Sequence, residues 1–171
     1  THQITYSYTN VGLCSSTANV SFIILPSSIV SCGAPFTDIR DNQIYPTVQI
    51  GSQCWMAKNL NFGSMVNGVV PQLDNCISEK YCFNDNATNC NTSGGLYQWD
   101  EVMRFDATQG AQGLCPPGWH LPTIPEWIVL MNHYGQQSQA GFFLKDLTLP
   151  NGFKALLTGV LYQNNSWAFN Q

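Results

Sequence analysis

The chain has 171 residues, room for one ordinary domain plus a fragment of another, and a chain of that length buries most of the surface it exposes when unfolded. Charged residues make up only 9%, against about 25% in a typical soluble domain, so Asn, Gln, Ser and Thr supply the polar surface. A net charge of -4 and six scattered Lys and Arg give no basic stripe for phosphates, which argues against nucleic acid and against an anionic membrane surface as partners.

Seven cysteines, at 14, 32, 54, 76, 82, 90 and 115, lack the paired C-x-x-C knuckles of a zinc site. They read as disulfides formed outside the cytoplasm, and the odd count leaves one sulfur free or bonded elsewhere. The longest apolar runs, residues 20–26 and 127–131, are far shorter than the roughly 20 residues that cross a bilayer, so no membrane span is expected. The chain opens in mid-pattern, without a charged and apolar leader, and its beginning reads as a cut with any signal peptide upstream.

Residues 3–25 carry two runs rich in Thr, Tyr, Val, Ile and Phe around a polar turn, the pattern of a β-hairpin. An isolated hairpin is marginal in water, so this one is expected to close a larger β-sandwich. It resembles the final strands of immunoglobulin-like repeats in bacterial surface proteins, which implies that Cys14 pairs within that upstream sandwich. Residues 27–35, with serines and a Gly between prolines, read as a linker. In residues 42–50 the alternation puts Ile44, Val48 and Ile50 on one strand face, Gly51-Ser52 forms a tight turn, and the return strand carries Trp55 and Leu60. Pro46 has to occupy a position that donates no ladder bond. Residues 61–74 are turn-rich and read as a surface loop.

Two helices are predicted. Residues 95–104 place Leu96, Trp99, Val102 and Met103 at helical spacing, with Asp100 and Glu101 on a solvated face. The second begins at a capping box, Thr123 with Glu126, with Pro125 in its first turn; Trp127, Leu130, Met131 and Tyr134 form its apolar face and Gly135 its left-handed stop. From Phe142 onward the apolar pieces read as strands and loops. Short helices among short strands give an α+β fold.

Several separated motifs then agree in order and spacing: TDIRDNQIYPTVQIGSQCWMAKNLN (37–61), EKYCFNDNATNC (79–90), GGLYQWDEVM (94–103), GLCPPGWHLPTIPEW (113–127) and GFKAL (152–156). Together they resemble the Fibrobacter succinogenes major paralogous domain family of secreted and cell-surface proteins. The resemblance implies a C-type-lectin-like domain with small twisted antiparallel sheets over residues 36–171, after a hairpin of an immunoglobulin-like module at 1–26. Members continue into further C-terminal strands that include a cysteine, so this domain is expected to lack them and to leave an open sheet edge for another chain. The resemblance also pairs Cys32 with Cys54.

Cys82 and Cys90 enclose seven residues and are expected to bond each other. Within that loop Asn84, Asp85, Asn86 and Asn89 offer oxygens for calcium, but the ion takes 6 to 8 and Asp85 is the one carboxylate, so a hydrogen-bonded turn is favoured and no cofactor is expected. Cys76 has no evident partner and becomes a candidate for Cys115. Cys115 and His120 read as structural residues: prolines 116, 117 and 122 stiffen the path into the helix, Trp119 anchors it, and His120 is expected to satisfy buried backbone groups. Trp55, Trp99, Trp119 and Trp127 are expected in the core, while Tyr162 and Trp167 are candidates for exposed contact. The functional expectation is an extracellular, non-enzymatic binding or assembly module, meeting a protein or glycan at the cell surface or a second copy of itself through open sheet edges. The alternative is a secreted enzyme of the formylglycine-generating-enzyme-like fold or a polysaccharide-active protein.

Overall fold

The computed structural model describes residues 3–9, 15–21, 31–135, 137–162 and 164–168. β1 (Gln3–Thr9) pairs antiparallel with β2 (Ser15–Ser21), with Tyr6 opposite Ala18, which is the expected hairpin. Cys14 and the first part of the expected linker lie outside the described residues.

β3 (Phe36–Thr37) pairs with β4 (Ile44–Tyr45), and β5 (Thr47–Ile50) with β6 (Gln53–Met56), both antiparallel. Pro46 separates β4 from β5: it has no N–H to donate, and its carbonyl accepts the Ala57 N–H at 2.8 Å. The break resets the alternation, so Val48 and Ile50 face the core together but Ile44 does not share their face as the sequence predicts. Tyr45 is fully buried, and Ile44 is 59% exposed. Gly51 opens the β5–β6 turn with φ +59°, a left-handed value that costs glycine nothing.

Residues 61–74 are not simply a surface loop. They contain β7 (Ser64–Met65), which pairs parallel with β8 (Glu79–Lys80), and Asn61 and Gln72 are buried. Burial of Gln72 is tolerated because its amide exchanges bonds with Gln98: the Gln98 N–H reaches Gln72 Oε1 at 2.6 Å, and the Gln72 N–H reaches Gln98 Oε1 at 3.1 Å. A 3₁₀ turn (Phe83–Asp85) leads into α1 (Ala87–Ser93), capped by Asn86 and ended at Gly94. At Gly94 the positive φ coincides with close approach, since an added Cβ would strike Asn59 and the Leu60 carbonyl.

The helix expected over 95–104 shrinks to one turn, α2 (Trp99–Val102); Met103 is buried and Asp100 exposed as expected, but Trp99 and Glu101 exchange places. Leu96 bridges Tyr81 instead of joining the helix, Trp99 is 69% exposed, and Glu101 and Met103 are buried. The cause is polar: the Glu101 carboxylate accepts the Glu79 N–H at 2.9 Å, which fixes that side inward, and burial raises the Glu101 pKa. Trp99 is therefore not a core residue.

α3 (Ile124–His133) starts at the predicted capping box, and Gly135 follows it with φ +101°. α4 (Gln137–Lys145) replaces the strands expected after Phe142. Its Leu144 packs on the core and its Leu144 carbonyl accepts the Ala155 N–H at 2.7 Å, so tertiary contact overrides a weak local signal. β9 (Val160–Leu161) pairs with β10 (Trp167–Ala168). Four α-helices and five two-stranded sheets make the described residues α+β, and no described helix is long and apolar enough to cross a membrane.

The core joins the hairpin to α3: Val48, Ile50, Trp55 and Leu130 are buried together, with Ala57, Tyr134, Leu144 and Phe153 against them. Two covalent links act on this frame. Cys32–Cys54 ties the strand β6 to the chain before β3, and Cys82–Cys90 closes the α1 loop, both as expected. Cys76 is also disulfide-bonded, whereas Cys115 is free. The candidate Cys76–Cys115 pairing is thus not formed.

An ion pair fixes the approach to Cys115. Arg40 Nη2 and Nε grip the buried Asp38 carboxylate at 2.6 and 2.9 Å, and Nη2 also donates to the Leu114 carbonyl at 3.0 Å. Burial disfavours the Asp38 charge, but the Arg40 bonds and charge outweigh it and hold the carboxyl below its ordinary pKa. A depressed folded pKa gives stability that is present above the unfolded value near 3.9 and lost as pH falls through the folded value. Asp38→Asn is therefore expected to lower stability at pH 7 by roughly 3 kcal/mol and to flatten the acid limb of urea midpoints measured against pH. Leu130→Ala, emptying a fully buried position, is expected to cost about 2–5 kcal/mol in the same assay.

Candidate functional site

A cleft of about 630 Å³ opens between the β6 hairpin strand and the segment that enters α3. This is within the roughly 300–1,000 Å³ of small-molecule sites. Its aromatic lining is Trp55, Trp119, Trp127 and Phe153, and its polar lining includes Gln53, Lys58, His120 and Glu126.

The local sequence explains how each wall is held. Trp119 follows a Pro-Pro-Gly turn, its N–H donating to the Pro116 carbonyl at 3.0 Å, and its indole stacks on Phe36 with centroids 5.0 Å apart. Trp127 sits one residue past the capping box; it lies 5.1 Å from Trp55 and 6.0 Å from Phe153, yet stays 37% exposed. Trp55 is buried beneath it, its indole N–H donating to Gln53 Oε1 at 3.3 Å. Gln53 in turn donates from Nε2 to the Glu126 carbonyl at 3.1 Å, so the hairpin and the helix start are tied by one side chain.

Glu126 divides its two oxygens. Oε2 accepts the Thr123 N–H and hydroxyl, both at 2.8 Å, while Oε1 lies 2.8 Å from His120 Nε2. The Thr123 bonds, with His120 behind them, hold the Glu126 carboxyl below its ordinary pKa. His120 is exposed and bonded to a carboxylate, not to the buried backbone groups expected from sequence. The prolines around it leave it on the outer side of the turn, where solvent and Glu126 satisfy it.

Cys115 lines the same cleft but is buried, with 8% exposed, and burial pushes its thiol pKa up to about 11 despite the nearby Arg40 charge. Its main chain is pinned by Gln112, which donates to the Cys115 carbonyl at 2.9 Å. No hydrogen bond joins Cys115 to His120 among the described residues, so the two are not paired as thiolate and imidazole.

The other predicted residues lie elsewhere. Asp85 accepts the Gly68 N–H at 2.7 Å, Asn86 caps α1 through Thr88, and Asn89 donates to the Phe83 carbonyl at 2.8 Å. Asn84 turns the chain with φ +56°. Asn86 and Asn89 serve their own turn, Asp85 ties that turn to Gly68, and no three His, Cys, Asp or Glu converge among the described residues. Tyr162 is 44% exposed. Trp167 is instead half-buried against Phe83, 5.5 Å away, because β9–β10 folds it back. Gln53, Lys58 and Phe153 were not legible as site residues; a polar position in a strand and a Phe in a loop carry no signal until the chain brings them together.

The protonated state of Cys115 is directly testable. At pH 8 its alkylation by iodoacetamide is expected to be on the order of 100-fold slower in the native protein than in urea, read by mass spectrometry, since the thiolate is the reactive form. Comparable rates in the two states would contradict the buried position.

The family described as the Fibrobacter succinogenes major domain matches residues 48–171, which takes in the β5–β6 hairpin, the capped helix and the whole cleft. No curated protein and no solved structure matches the chain. The match spans more than half of the sequence and agrees with the motifs that lie in it, so this chain belongs to the Fibrobacter succinogenes major domain family.

Proposed function

We propose that this protein is a non-enzymatic binding module of a bacterial cell exterior, with a C-type-lectin-like arrangement of its family domain, and that it holds its partner in the cleft beside α3. The observation that carries this reading is the cleft itself. It combines exposed aromatic surface with a fixed polar pair, and its lining is braced by the capping box and the Gln53 bridge. Disulfides at Cys32–Cys54 and Cys82–Cys90 support an oxidising compartment.

Chemistry is the weaker reading of the same cleft. A nucleophile needs a base within reach and a lowered pKa, and Cys115 has neither. Glu126 is committed to the helix cap and held ionised, which suits an acceptor more than a proton donor.

The test uses the oxidised 171-residue protein on arrays of bacterial and plant glycans and of secreted proteins, with sedimentation run alongside. Saturable binding that Trp127→Ala weakens about tenfold or more is expected. A protein that binds nothing on either array and stays monomeric would overturn the reading, and so would turnover of a polysaccharide.

A further inference from the structure

The cleft's chemistry also narrows the class of ligand, an inference that rests on the binding-module reading above. Three properties of the lining decide it. The first is charge. Lys58 and Glu126 are the oppositely charged side chains of the lining, and Glu126 already faces His120 and Thr123. An anionic or cationic ligand therefore meets no excess of opposite charge, and its lost hydration is not repaid.

The second is shape. Trp127 leaves more than a third of its surface uncovered while its other contacts, Trp55 and Phe153, hold it in place from within. Trp119 is likewise braced from behind by Phe36. Such rings are flat apolar platforms fixed before any ligand arrives, so little rotamer entropy is lost on binding.

The third is the polar rim. His120 Nε2 is engaged by Glu126, which leaves Nδ1 with its hydrogen-bonding capacity, and Glu126 Oε1 retains a lone pair beside it. An acyl chain or other wholly apolar ligand would cover these groups without replacing their water, at a cost. The ligand that answers all three has an uncharged ring with an apolar C–H face and hydroxyls around its edge.

We infer that the cleft binds a neutral saccharide, a sugar ring lying on Trp127 with its hydroxyls bonded to the His120–Glu126 pair. No metal is needed in this mode, because the hydroxyls are held by side chains already oriented by the α3 cap. The exposed Trp99, on α2, is not part of the cleft lining and serves as the internal control.

The probes are cellohexaose, xylohexaose, mannohexaose and N-acetylchitohexaose, with oligogalacturonate as the anionic comparison. Each is titrated into the oxidised protein in the presence of EDTA, following tryptophan fluorescence and heat. At least one neutral oligomer is expected to bind saturably, with a larger response than oligogalacturonate. Trp127→Ala is expected to weaken that binding about tenfold or more, Trp127→Phe by less, and Trp99→Ala not at all. Circular dichroism melting of each variant confirms that the loss is not one of folding, and Trp127→Phe keeps the test alive if the alanine variant unfolds.

Binding of oligogalacturonate alone, binding abolished by EDTA, or equal loss in Trp99→Ala would overturn the assignment. Failure of all four neutral oligomers would overturn it too. In that case a protein ligand that still depends on Trp127 would leave the binding-module reading standing, and the absence of any ligand on either array would remove both.

Discussion

The Glu126 carboxylate is where three segments of the chain meet. One oxygen closes the start of α3 through Thr123, the other holds His120 on the incoming loop, and the carbonyl of the same residue receives the Gln53 amide from the hairpin. Each bond is modest by itself, since a cap contributes about 1 kcal/mol. Their convergence matters more than their sum. With the cap in place, Trp127 emerges one residue later at a fixed angle above Trp55, and the cleft has a floor. Without it the first turn of the helix would fray and the loop, hairpin and helix would lose their common reference.

The rest of the domain supports that point from either side. On the hairpin side, Cys32–Cys54 and the buried group of Val48, Ile50 and Trp55 hold β5 and β6 against Leu130. On the loop side, the Arg40–Asp38 pair reaches across to the Leu114 carbonyl and seats the chain just before Cys115. The domain is short of regular structure, with two-stranded sheets and helices of at most ten residues. Disulfides, polar bridges and the buried Asp38–Arg40 ion pair take over work that a larger apolar core does elsewhere. This explains how so weakly charged a sequence keeps buried carboxylates at Asp38, Glu79 and Glu101: each has backbone N–H or guanidinium partners.

Much of the local detail was readable because its causes are local. The Thr123–Glu126 box, Pro125 and Gly135 define α3 within a few residues of each other, and the capping geometry follows from short-range bonds. The Gly51 turn is of the same kind, and so is the Cys82–Cys90 loop. Features that depend on a partner far along the chain leave no such local mark. Trp99 was placed inside by spacing, but the Glu79 N–H pulls Glu101 inward from 22 positions away. Ile44 was placed inside by alternation, but Pro46 shifts the register. α4 has a weak apolar pattern of its own and is stabilised through Leu144 and Ala155. The pairing of Cys76 with Cys115 failed because a sulfur's partner depends on where the chain returns, which spacing does not encode.

The sequence by itself determined the α+β class, the family, the two disulfides within the described domain and the start of the helix that carries Trp127. Each rests on a motif whose residues act on close neighbours or recur in fixed order. Only the tertiary structure decided that Trp119, Trp127 and Phe153 line one cleft, that His120 faces Glu126 at its rim, and that Cys115 lies buried and protonated in its wall. The physical reason is burial: which face of a side chain meets water is set by segments up to about a hundred residues apart, from Gln53 to Phe153, and no local period carries that information.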